Sequence, residues 1–199
     1  MLTVLVNNYL KLLFIMTPFF VLSSFITMTS HMNEREKRNT SFKVTVAVLV
    51  SCLSMFFFGK YIFDLFGITL DAFRIGAGSI LFLSAVSLVN GSRKISSNEF
   101  ENDIAVVPLA IPITVGPGVI GVLMVMGAEP RTALQLLEFL VALVGATLTI
   151  GVMLLSSSWL QKFISQQSLS VMQKITGLFV SAIAAQIIFT GAKGFFAVD

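Results

Sequence analysis

Thr17, Pro18, Ser23 and Ser24 form one group of residues whose types and spacing could do chemistry, and Thr114, Gly116, Pro117 and Gly118 form a second. Pro18 and Pro117 lie 99 positions apart, each inside a stretch that otherwise reads as a helix in a membrane. Proline has no N–H and clashes with the carbonyl four residues earlier, so it interrupts the helix. Pro18 is expected to free the carbonyl of Phe14, Pro112 that of Pro108, and Pro117 that of Ile113. Freed carbonyls accept hydrogen bonds from an ammonium group or hold a cation. The half-helix that starts after each break offers unpaired N–H groups and a positive dipole end, which suit a carboxylate. Gly116 and Gly118 let a ligand approach the backbone closely. A zwitterion could thus be held without any charged side chain, which at mid-bilayer costs on the order of 3 kcal/mol or more. Gln186, flanked by Ala184 and Ala185, is a candidate polar liner outside the breaks.

The elements that must position these groups follow from composition. Hydrophobic residues make up 56% of the chain and charged residues 12%, against roughly 25% charged in soluble domains. Mean hydropathy is +0.93. Six nearly uncharged runs, Tyr9–Ser30, Phe42–Phe63, Asp71–Asn90, Ile104–Gly127, Thr132–Ser156 and Ser170–Phe195, approach the roughly 20 residues that cross a bilayer as a helix. The first is too long for a cleavable signal's apolar core and is expected to stay as a span. The fold class expected is all-α: a polytopic membrane protein of six transmembrane helices, with the first and fourth broken. A broken backbone is tolerated in lipid only where protein buries it or it lines a cavity, and paired breaks in two halves point to a transporter's binding site.

A weak internal repeat supports two halves. Arg74-Ile75 recurs as Lys174-Ile175 and Gly91 as Gly191, each at a shift of 100. Residues 1–90 read as one three-helix repeat, 91–103 as a central linker and 104–199 as the second repeat, all within one integral membrane domain. Three spans per half is odd, so the repeats should be inverted. Eight Lys and Arg fall at one end of the bundle and five at the other. This places both termini outside, with the charged Asn33–Lys43 loop in the cytoplasm.

Other residues carry less. Cys52 is the one cysteine and lies in a span, so neither an internal disulfide nor a thiolate metal site is expected. His31 starts a polar loop. Glu138 reads as interfacial rather than as a proton carrier. Gly76, Gly78 and Gly177 read as tight helix contacts. Phe56-Phe57-Phe58 reads as packing or lipid-facing material, and Tyr61 and Trp159 as interfacial aromatics. The net charge of +3 comes from residues between spans, not from a basic patch, so no nucleic acid is expected. No HExxH, GxSxG or paired intramembrane carboxylates are found, and an enzyme is not expected.

Pro108-Leu109-Ala110-Ile111-Pro112 followed by Gly116-Pro117-Gly118-Val119-Ile120 resembles the signature of the MarC family of bacterial inner-membrane proteins, grouped with small neutral amino-acid transporters. Phe73–Phe82 resembles that family's third span, and the layout and length agree over nearly the whole chain. The family's first span carries Asp or Asn, then Pro, x, Gly, x, x, Pro, x, Phe. Here the window is Thr17-Pro18-Phe19-Phe20-Val21-Leu22-Ser23-Ser24-Phe25. Thr17 replaces the acidic or amide residue, Phe20 the glycine and Ser23 the second proline. That puts a cation or proton site resting on the first residue in question, and Phe20 is expected to narrow the cavity.

The function expected is secondary transport of a small neutral solute, such as a neutral amino acid, bound by Thr17, Pro18, Ser23, Ser24, Thr114, Gly116, Pro117, Gly118 and Gln186. Two alternatives stand beside it: a channel-like pore, and a family member without transport activity. No cofactor or metal is expected. H+ or Na+ as coupling ion and a homo-oligomer both stay open. The expected partners are the lipid bilayer and a small-molecule substrate.

Overall fold

The computed structural model of the chain describes residues 2–91 and 114–197, and the regular structure there is all helical. The order is α1 (Leu2–Ile15), α2 (Pro18–Met28), α3 (Glu34–Phe66), α4 (Leu70–Val89), α5 (Pro117–Ala128), α6 (Ala133–Leu155), α7 (Ser157–Phe163) and α8 (Gln166–Phe196). Four of these, α3, α4, α6 and α8, are long and apolar enough to cross a membrane, and α1 with α2, bent by 41°, passes the same test when the two are taken as one broken span. The chain is an all-α polytopic membrane protein. Most of the central linker, and the start of the fourth span with Pro108 and Pro112, lie outside the described residues.

Span boundaries differ from expectation where polar residues favour helix. α3 starts at Glu34, eight residues before the apolar run. Asn33 accepts from the Glu36 N–H while the Glu36 carboxylate accepts from the Asn33 N–H, 2.9 Å each, a reciprocal cap that nucleates helix in a stretch expected to be loop. At 33 residues and 1.5 Å per residue, α3 is about 50 Å long. That exceeds the roughly 30 Å hydrocarbon core, so its charged first turns stand outside the membrane. Thr132 and Gln135 cap α6 in the same way. The short α7 was not foreseen. His31 is exposed as expected.

The long helices pack through small residues, as van der Waals contact in lipid requires. α4 runs antiparallel to α8. A Cβ at Gly78 would fall 2.7 Å from Ile188, at Gly177 2.9 Å from Val89, and at Gly191 2.7 Å from Arg74 and Asp71. Gly76 faces open space, so it is not the tight contact expected. α3 runs antiparallel to α6, with Thr45 against Gly151 and Phe56 stacked on Phe139 at 4.6 Å. The second helices of the two halves are thus antiparallel to one another, as are the third. This is compatible with inverted three-helix repeats. Phe56 is core, whereas Phe57, Phe58, Tyr61 and Trp159 are exposed on the outer surface.

Candidate functional site

At the first break, Met16 donates to Leu12 O (3.1 Å) and Thr17 to Phe14 O (3.0 Å). The Phe14 carbonyl is therefore not freed, contrary to expectation. A tighter last turn supplies it with the Thr17 N–H in place of the donor Pro18 lacks. Thr17 then turns left-handed, with φ 49° and ψ 61°, and its own carbonyl starts α2 by accepting from Phe20 and Val21. Among the described residues it is the one non-glycine with positive φ. For a β-branched residue this conformation is an outlier, and it stores roughly 1–2 kcal/mol of strain. Asn adopts it far more readily, which gives a physical reason for Asp or Asn at this position in the pattern the sequence resembles. Thr17→Asn is expected to stabilise the protein by about 1 kcal/mol. A thermal unfolding midpoint that rises in detergent checks this, and one that falls contradicts it.

The second break also starts a helix at a proline, but from an extended rather than a left-handed residue, and the Ile113 carbonyl lies outside the described residues. Gly116 is extended (φ −75°, ψ 171°), and Pro117 occupies the first position of α5, whose ladder opens with Ile120 N–H donating to Gly116 O at 2.9 Å. Thr114 is fully buried, 0% exposed. Gly118 lies flat against α4, where a Cβ would come 3.0 Å from the Leu81 Cα.

The two breaks meet. Thr17, Thr114, Gly116 and Gly118 line one cavity, together with Ser84 of α4 and apolar groups from Ile15, Val119 and Val180. Its volume is about 10 Å³, room for roughly one water molecule. α3, α4, α6 and α8 each have a capping side chain. α2 and α5, which begin at this cavity, have none. Two uncapped, proline-started helices therefore begin at the same region and bring positive dipole ends to it, although at α2 the Phe20 and Val21 N–H groups already donate to Thr17 O.

The other candidate residues are placed differently. Pro18 is buried at the head of α2. Ser24 is buried and donates to Phe20 O at 2.7 Å, and Ser23 is half-buried. Pro117 lines a separate apolar groove with Ala77, Ile80 and Gly121. Gln186 is exposed on α8 and is not brought to the cavity. Sequence reasoning assigns Ser84, a hydroxyl inside an apolar span, to a neighbouring carbonyl or to helix packing and not to the site. It passes over Gln173, whose Nε2 donates to Phe19 O at 3.4 Å and ties α8 to the first turn of α2. Glu138, expected at the interface, is only 8% exposed. Among the described residues no group of His, Cys, Asp or Glu could hold a metal ion.

An ion-pair cluster closes one end of the bundle. Arg74 Nη1 donates to Asp71 Oδ1 (2.7 Å) and its Nη2 to Glu129 Oε1 (2.8 Å), while Arg131 Nη2 donates to Glu129 Oε2 (3.0 Å). The Arg131 guanidinium lies 4.9 Å from the Phe139 ring centre and 5.7 Å from that of Phe56. Burial holds its pKa below the usual arginine value, against the pull of Glu129.

The sequence pattern described as "MarC family integral membrane protein" matches residues 2–196. The chain is similar to a UPF0056 membrane protein of Methanocaldococcus jannaschii, MJ1677, 34% identical over 90% of this chain and 91% of the relative. It is 29% identical to the UPF0056 membrane protein YhcE of Escherichia coli, over 94% and 91% of the two chains. A UPF0056 membrane protein of Pyrococcus abyssi is 28% identical over 96% and 94%. No solved structure matches the chain.

Proposed function

The chain belongs to the MarC family of integral membrane proteins, and on that premise we propose that it is a secondary carrier of a small neutral solute bearing a carboxylate, such as a neutral amino acid. The observation that carries this reading is the meeting of two uncapped half-helix starts at one buried cavity. Their dipole ends take the carboxylate. The hydroxyls of Thr17, Ser84 and Thr114 serve as acceptors for the ammonium. Ile15, Val119 and Val180 form apolar walls that admit only a small side chain. The structure is a closed state, because a space the size of one water excludes even glycine. Opening requires α5 to swing from α4 about Gly116-Pro117, as one repeat rocks against the other. In this reading the protein sits in the bacterial inner membrane with both termini periplasmic.

Proteoliposomes loaded with unlabelled glycine or alanine test the proposal. Saturable uptake of the labelled amino acid, accelerated by solute inside, is the expected result. Linear flux without acceleration would indicate a pore, and absence of flux for every neutral amino acid would indicate a member without transport activity.

A further inference from the structure

We infer that a second pocket, between the C-terminal third of α3 and the α5–α6 turn, binds the phosphate of an anionic phospholipid headgroup. Its volume is about 370 Å³, and its walls include Phe56, Phe57, Lys60 and Tyr61 of α3, with Arg131 of the turn and Leu136 of α6. Three observations converge on an anion. Arg131 lines the pocket with its side chain 17% exposed, and its Nη1, covered beside the Phe56 and Phe139 rings, has no hydrogen-bond partner; a shift of this side chain would bring that donor to an acceptor in the pocket. Glu129 also lines the pocket, but its oxygens accept from Arg74 and from Arg131 Nη2 and not from Nη1. Lys60 is exposed on the same pocket. Asp71 and Glu129 against Arg74, Arg131 and Lys60 leave the cluster one positive charge in excess.

The membrane supplies the anion. Lys60 lies near the end of a spanning helix, flanked by Phe57 and Tyr61, which are 50% and 70% exposed. Exposed aromatics beside a snorkelling lysine mark the headgroup level. Phe57 and Leu136 carry the pocket wall into the apolar surface, where glycerol and acyl chains can follow the phosphate. A free phosphate ion would gain nothing from these walls. The proposal is independent of what the central cavity carries.

Binding is read by native mass spectrometry of the full chain in detergent, titrated with phosphatidylglycerol, with phosphatidylcholine, and separately with inorganic phosphate. One cation near a membrane surface contributes about fivefold in affinity. Phosphatidylglycerol is therefore expected to bind at least about tenfold more tightly than phosphatidylcholine, with no retention of inorganic phosphate. Lys60→Gln is expected to reduce that preference about fivefold while leaving the thermal midpoint unchanged, because the side chain is exposed. Arg131→Lys keeps the charge but loses the fork, and is expected to fall between. Equal affinity for the two lipids, an unaltered preference in Lys60→Gln, or phosphate binding as tight as lipid binding would each overturn the assignment.

Discussion

Oxidation of a variant carrying Ala77→Cys and Gly121→Cys, in a Cys52→Ala background, is expected to lower solute flux in proteoliposomes at least about tenfold, and reduction to restore it. The expectation comes from the α4–α5 seam. A Cβ built at Gly121 falls 2.6 Å from the Ala77 Cβ, about 1 Å inside the usual disulfide separation. A slight easing of the two helices accommodates the bond. The seam is also what divides the central cavity, lined by Leu81 and Gly118, from the apolar groove lined by Ala77 and Gly121. If α5 must leave α4 for solute to reach Thr17 and Thr114, a covalent bond across this crossing arrests the cycle. Cys52, the chain's own buried thiol, is replaced so that the introduced pair is the one able to cross-link. Undiminished flux with the bond fully formed would refute movement at this seam, while leaving the cavity itself intact as a site. The reduced form serves as the control for packing damage at Gly121.

Arg74→Met is expected to destabilise the protein by about 2 kcal/mol. Arg74 is the one residue that joins Asp71 of its own helix to Glu129, 55 positions later. Removing it leaves Asp71 without its partner and Glu129 with Arg131 alone. The three side chains are 18%, 27% and 34% exposed, so water screens part of the loss, and the value is below that of a fully buried pair. Arg74→Lys keeps the charge but not the two-armed geometry, and is expected to recover less than half. The check is unfolding in detergent across a cycle with Glu129→Gln. Coupling above about 1 kcal/mol is expected; additivity within about 0.5 kcal/mol would mean that the two residues do not act together.

Much of the architecture was written locally. Long apolar runs and scarce charge specify a membrane protein, because roughly 20 residues of helix match the hydrocarbon thickness. Thr132–Ser156 and Asp71–Asn90 were therefore placed within a residue of α6 and α4. Pro18 and Pro117 marked the starts of α2 and α5, because a missing N–H acts within one turn whatever surrounds it. The start of α3 was misplaced because the charges of Glu34–Arg38 masked the cap at Asn33, which is also a local signal.

What the tertiary structure decided is which faces look inward. In a soluble helix polarity separates inside from outside, but in lipid both faces are apolar, and the periodic signal fades. Nothing in the run around Gln186 says that it faces out, nor in that around Ser84 that it faces the cavity. The reach of Arg74 to Glu129 and the meeting of Thr17 with Gly116 depend on partners distant in sequence. They are set by close packing at Gly118, Gly121 and Gly177, because only a bare Cα lets two helices approach that near.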